Sequence, residues 1–146
     1  MYIPKPYFSN VPGMGDLFVD NIFLATDFPV LFCCRNEKRL FLCICRNAID
    51  EQKWIISEID YFTLSEMINN NISIYNAFKK GNRCCIVTWK PTFNKEKYRP
   101  IKNCEINDAD LPEKEIRLDA EDEFSEYLKR LEKELFAISF ERSCAL

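Results

Sequence analysis

Several groups of residues in this chain have types and spacings from which chemistry is built. Glu51-Gln52-Lys53 has the Glu-x-Lys spacing of metal-dependent phosphodiesterase centres, where the carboxylate binds the ion and the lysine steadies developing charge, and Asp27 precedes it as a further acid. Cys33-Cys34, Cys43-x-Cys45 and Cys84-Cys85 bring thiols close together, as soft metal ligands would be. Residues 90–102 interleave Phe93 and Tyr98 with Lys90, Lys95, Lys97, Arg99 and Lys102, the stacking and phosphate-binding ingredients of a single-strand nucleic-acid surface. Arg35, Arg83, Trp89 and Lys90 fall near expected strand ends, where their cations and indole suit a small ligand or nucleotide.

Each group has a plainer reading beside it. The Glu51 triplet falls in a polar turn, and its spacing arises readily by chance in a chain with 29% charged residues. Adjacent residues of a strand point to opposite faces, so a cysteine doublet does not easily chelate one ion, and no Cys-x(2–4)-Cys turn is present. The basic stretch is followed by Glu105, Asp108, Asp110, Glu113 and Glu115, which would repel phosphate and which lack EF-hand spacing. Gly13-Met14-Gly15 lacks the third glycine of a dinucleotide fingerprint. Histidine is absent, which excludes imidazole general bases, Ser-His and Cys-His dyads and imidazole zinc sites. No catalytic residue, metal or cofactor is assigned.

A chain of 146 residues suits one domain with its own core. A hydrophobic share of 47% and an aromatic share of 14% support that core. The net charge of −3 gives no overall attraction to nucleic acid or anionic membrane. No apolar run is long enough to span a bilayer, and no secretory leader pattern opens the chain, so a cytoplasmic protein with reduced core thiols is expected.

Residues 1–16, rich in Pro and Gly, read as an extended arm able to dock through Tyr7 and Phe8, with residues 17–146 as a single α+β domain. Residues 17–25 read as a strand bulged near Asp20-Asn21. Residues 30–35 and 40–46 read as a hairpin apolar on both faces, so both faces should be covered by helices, by the arm or by a partner subunit. Further strands are expected at 54–56 and 83–89, with an edge strand at 115–118. Thr63 and Ser73 are expected to cap two short helices, the first stopped at Asn69-Asn70-Asn71. A C-terminal amphipathic helix capped by Asp119 carries the stripe Phe124, Leu128, Leu131, Leu135 and Ile138. The expected fold is therefore α+β, a mostly antiparallel sheet of about five strands with a short helical pair and a long C-terminal helix.

The order of elements from Phe28 to Trp89, with the segment Ile72-Ser73-Ile74-Tyr75-Asn76-Ala77-Phe78, resembles a family of short bacterial and phage proteins catalogued as a domain of unknown function. The resemblance implies a small α+β domain and transfers no catalytic residue. Such proteins resemble accessory, immunity or anti-defence products of bacterial conflict systems.

The function expected is that of a non-enzymatic binding module acting through protein–protein association, with itself as a homo-oligomer or with another protein. Tyr7, Phe8, Phe124, Leu128, Leu131 and Leu135 are the candidate interface residues. The alternative is a small-ligand or nucleotide-binding, sequestering protein using Arg35, Arg83, Trp89 and Lys90. A metal-dependent nuclease comes third, and neither nucleic acid nor membrane is expected as a partner.

Overall fold

The computed structural model describes residues 4–144, and their side chains as far as residue 135 except for Ala48. The strands form one antiparallel meander: β1 (Phe8–Val11), β2 (Gly15–Ala25), β3 (Pro29–Arg35), β4 (Leu40–Ala48), β5 (Glu51–Ile59), β6 (Cys84–Trp89) and β7 (Lys97–Ile101), neighbours in sequence being neighbours in the sheet. Helices α1 (Tyr61–Ile68) and α2 (Ile74–Lys79) lie between β5 and β6, and α3 (Ser125–Cys144) follows the sheet.

The architecture is α+β and antiparallel, but the sheet has seven strands where about five were expected. One extra strand comes from the arm. Pro12-Gly13 makes a tight reversal in which the Met14 N–H donates to the Val11 carbonyl and Gly13 has φ of +75°, the pattern of a type II turn. The other, β7, comes from the stretch read as irregular. Its Pro100 sits on a strand bonded to β6 on one side, where a missing N–H is tolerated. The edge strand expected at 115–118 does not form, and Ile116 there is exposed.

The alternating pattern of the hairpin divides the sheet into two cores. Phe8, Leu17, Phe32, Phe41, Trp54, Val87 and Tyr98, one from each strand, pack together on the inner face. The Tyr98 hydroxyl donates to the Ser9 carbonyl at 2.9 Å, so the last strand reaches back to the first and the sheet is nearly a barrel. On the outer face Leu64 and Met67 of α1, Phe78 of α2, and Leu128 and Leu131 of α3 cover Leu31, Leu42 and Ile55. Each such side chain contributes about 1.5–3 kcal/mol by leaving water. Both covers come from this chain, so its two-sided strands are satisfied without a partner.

The helix ends follow local chemistry, with two corrections. Asp60 rather than Thr63 caps α1, its carboxylate accepting the Thr63 N–H at 2.7 Å, because an anion one turn earlier meets the free donors of the helix. Ser73 caps α2, its hydroxyl accepting from the Asn76 N–H, and Asn70 takes the left-handed conformation (φ +63°) that stops α1. α3 begins at Ser125, not after Asp119. Asp119 and Glu121 have φ of +54° and +48°, outside the right-handed helix. Val19 and Asn21 flank the irregularity expected in β2.

The strand cysteines are free thiols used for packing. Cys33 and Cys84 face the helices, while Cys34, Cys43, Cys45 and Cys85 fill the inner face, so each doublet is split between the two cores. Burial pushes Cys33 and Cys84 up to about 12 and also raises Cys43, Cys45 and Cys85. An unfolded thiol ionises near pH 8.5–9, whereas these stay protonated in the fold, so the unfolded state gains by losing protons first. Stability is therefore expected to be whole below about pH 8 and to fall as pH rises through 8.5–9 toward 12, by up to about 1.4 kcal/mol per pH unit for each thiol. Urea melts between pH 8 and 11 check this: the Cys33→Ala/Cys84→Ala double variant should show a shallower slope than the parent.

Candidate functional site

The end of β3, the start of β4, the end of β5 and the start of β6 meet at one rim of the sheet, through the pairs Arg35 with Leu40 and Leu40 with Ile59 and the bond from the Glu58 N–H to the Arg83 carbonyl. A cleft of about 1090 Å³ opens there between the β3–β4 turn, the β1–β2 turn, the start of α1 and α3. Met14, Phe18, Arg35, Arg39, Glu58, Tyr61 and Leu135 are among its walls.

Glu58 is the one acidic residue among the described residues whose backbone and side chain are both buried, its side chain 5% exposed. Strand alternation turns it inward beside Phe41, its cross-strand neighbour. Its Oε1 lies 3.4 Å from Arg39 Nε and 3.7 Å from Arg83 Nε, yet receives no aligned hydrogen bond. The loop that brings Arg83 in depends on Gly81, where a Cβ would sit 2.6 Å from the Glu58 carbonyl oxygen. Arg83 Nη1 then donates to the Gly13 carbonyl, and the Asn36 amide donates to the Met14 carbonyl, so the β1–β2 turn is fastened over the same rim. Asn36 also accepts the N–H groups of Lys38 and Arg39, an Asx-type closure that holds the β3–β4 turn.

A second polar cluster borders the cleft on the helix side. Asp20, 7% exposed in its side chain, accepts from the Tyr127 hydroxyl at 2.7 Å and faces Arg35 (3.5 Å) and Arg130 (3.3 Å). Arg35 also donates to Glu134 at 2.8 Å. Burial, then Cys33 and Asp20, push the Tyr127 phenol far up, so it stays protonated and remains a donor. This cluster is well satisfied and ties α3 to β2 and β3.

The residues singled out from sequence separate into two groups. Arg35 lines the cleft and Arg83 adjoins it through Glu58. Trp89 and Lys90 do not join them. Trp89 pairs with Gln52 at the far end of β6, roughly 20 Å away at strand rise. Lys90 lies over Phe93, which Lys97 approaches at 4.0 Å, and Tyr98 points to the inner core, so the basic stretch spends its aromatics internally. Glu51 and Lys53 lie in β5 rather than in a turn, and Lys53 pairs with Asp110 at 3.1 Å. Among the described residues no three acidic or sulfur side chains gather as a metal-binding set. Of the candidate interface residues, Tyr7 packs on Phe32, while Phe8, Phe124, Leu128 and Leu131 are buried within the chain. Leu135 remains 41% exposed. Ile138 lies outside the described side chains.

Arg39 and Glu58 were not among the sequence candidates. The available signal was Glu58 itself, a carboxylate inside the apolar run Trp54-Ile55-Ile56-Ser57-Glu58-Ile59. Comparison with family models, curated proteins and solved structures finds no match to the chain.

Tyr127→Phe removes one donor from Asp20 while keeping the ring that packs on Phe23. It is expected to lower unfolding free energy by about 1–3 kcal/mol, read from denaturant melts at pH 7.

Proposed function

We propose that the protein is a non-enzymatic binding module whose working surface is the cleft at this rim, and that its ligand is a small polar molecule. The observation that carries the reading is Glu58, held inside the fold under two arginines at the wall of that cleft. Enclosing a charge is costly, and an apolar residue would close the rim more cheaply. Of the features that favoured association from sequence, the two-sided strands, Phe8 of the arm, and Phe124, Leu128 and Leu131 of the helix stripe pack within the chain, while Leu135 stays 41% exposed. The cleft is of a size that accommodates a metabolite.

One observation keeps association as a second reading. Beyond Leu17 the outer side of β2 has no backbone partner among the described residues, and Val19, Ile22 and Leu24 there are 39%, 42% and 47% exposed. An open apolar edge is a template for a second copy, although the irregular register of β2 blunts it.

Thermal-shift screening of the full chain against polar metabolites tests the first reading. A ligand present at about a hundred times its Kd should stabilise the fold by about 2.7 kcal/mol, visible as a rise of several degrees in Tm. Failure of every compound to move Tm at millimolar concentration counts against it. Light scattering tests the second reading: a dimeric mass that Ile22→Lys returns to a monomer supports it, and a monomeric mass at the highest soluble concentration ends it.

A further inference from the structure

The arginines at the rim are arranged for more than sealing it. Arg39 belongs to the β3–β4 turn and Arg83 immediately precedes β6, and only the pairing of β4, β5 and β6 brings them to one carboxylate. Both approach Glu58 through Nε. Their side chains are 57% and 49% exposed, so neither is enclosed by its contact with Glu58. Arg83 commits Nη1 to the Gly13 carbonyl, and Arg39 makes no hydrogen bond through either Nη among the described residues. Arg39 therefore keeps both terminal nitrogens, and Arg83 keeps Nη2, as donors.

We infer that Arg39 and Arg83 form a two-guanidinium clamp for the phosphate of a nucleoside phosphate, with Glu58 as the positioning residue that holds both. This deepens the cleft reading and rests on it. Planar guanidinium forks match the oxygens of a phosphate, and a buried carboxylate behind them fixes their planes before the ligand arrives. The turn carrying Arg39 is already closed by Asn36, so less order has to be imposed on binding. Arg39 and Glu58 line the cleft and Arg83 adjoins it through Glu58, and the nucleoside has a place beside them where Phe18, Tyr61 and Leu135 supply aromatic and apolar wall. Asp16, Glu37, Asp60 and Glu134 line the cleft together with Glu58, against Arg35, Lys38 and Arg39, so the cleft as a whole has no positive field and the phosphate is held only by directed hydrogen bonds close at hand. Inorganic phosphate alone, lacking the nucleoside, should bind more weakly.

The test is titration calorimetry on the full chain with nucleoside mono- and triphosphates, the corresponding unphosphorylated nucleosides, and inorganic phosphate. At least one nucleoside phosphate should bind, with its nucleoside and inorganic phosphate each at least tenfold weaker. Arg39→Ala, at an exposed turn position, should weaken that ligand tenfold or more, and Arg39→Lys should restore part of the loss. Arg83→Ala should act in the same direction, but it also removes the bond to Gly13, so Arg39→Ala is the deciding variant. Glu58→Gln should weaken the nucleoside phosphate while leaving the affinity of the bare nucleoside unchanged; a role confined to holding the fold would weaken both alike. A small molecule that binds without needing its phosphate, or without sensing Arg39, overturns the clamp and leaves the cleft reading standing. No binding by any class of compound, with no shift in the metabolite screen, overturns both.

Discussion

Everything in this structure depends on burying both faces of one antiparallel meander. The central strands carry large apolar groups on each side, so a flat sheet would leave one of its two surfaces in water. The chain answers with two different covers. Helices take the outer face, as in an ordinary two-layer α+β domain. For the inner face the sheet is its own cover. It curls until Tyr98 of the last strand reaches Ser9 of the first, and an aromatic group built around Phe8, Phe32 and Trp54 fills the space.

Curling has a consequence at the ends of the strands. A nearly closed sheet has two rims, and the turns at a rim are drawn toward one another. At one of them the β1–β2 and β3–β4 turns and the loop before β6 converge, fastened by Asn36, Arg83 and the close approach at Gly81. Polar side chains that are far apart in sequence are thereby pressed together beside a cleft. The two clusters formed in this way differ in kind. Asp20 has a full set of partners and works as a fastening for α3, whereas Glu58 has two guanidinium groups close by and a carboxylate oxygen without an aligned hydrogen bond.

Where the sequence was readable, a local rule governed the outcome. The alternation Leu31, Phe32, Cys33, Cys34 sorted those residues between the two cores as strand geometry requires, and Ser73 and Asn70 acted as cap and stop. Elsewhere a longer-range contact outweighs a weak local signal. Residues 97–101 have little apolar alternation and contain a proline, and they form a strand because β6 offers an open edge. Residues 8–11 are a strand because Pro12-Gly13 folds them back on β2 and because Tyr7 and Phe8 find a place on the inner face. The helix expected from Asp119 is delayed to Ser125 by left-handed backbone at Asp119 and Glu121, which no periodic pattern reveals.

The sequence by itself determined which face of each central strand its apolar residues occupy, and that this chain brings no imidazole to any chemistry. Those properties follow from composition and from the two-residue period that the central strands β3 and β4 keep. The tertiary structure alone decided which charged groups meet. Arg35 and Arg83 came to the same rim while Trp89 and Lys90 went to the opposite end, and Arg39 and Glu58, 19 positions apart in sequence, came within ion-pair distance. Proximity of that kind is set by strand register and by how far the sheet curls, and both are sums over the whole meander rather than properties of any segment within it.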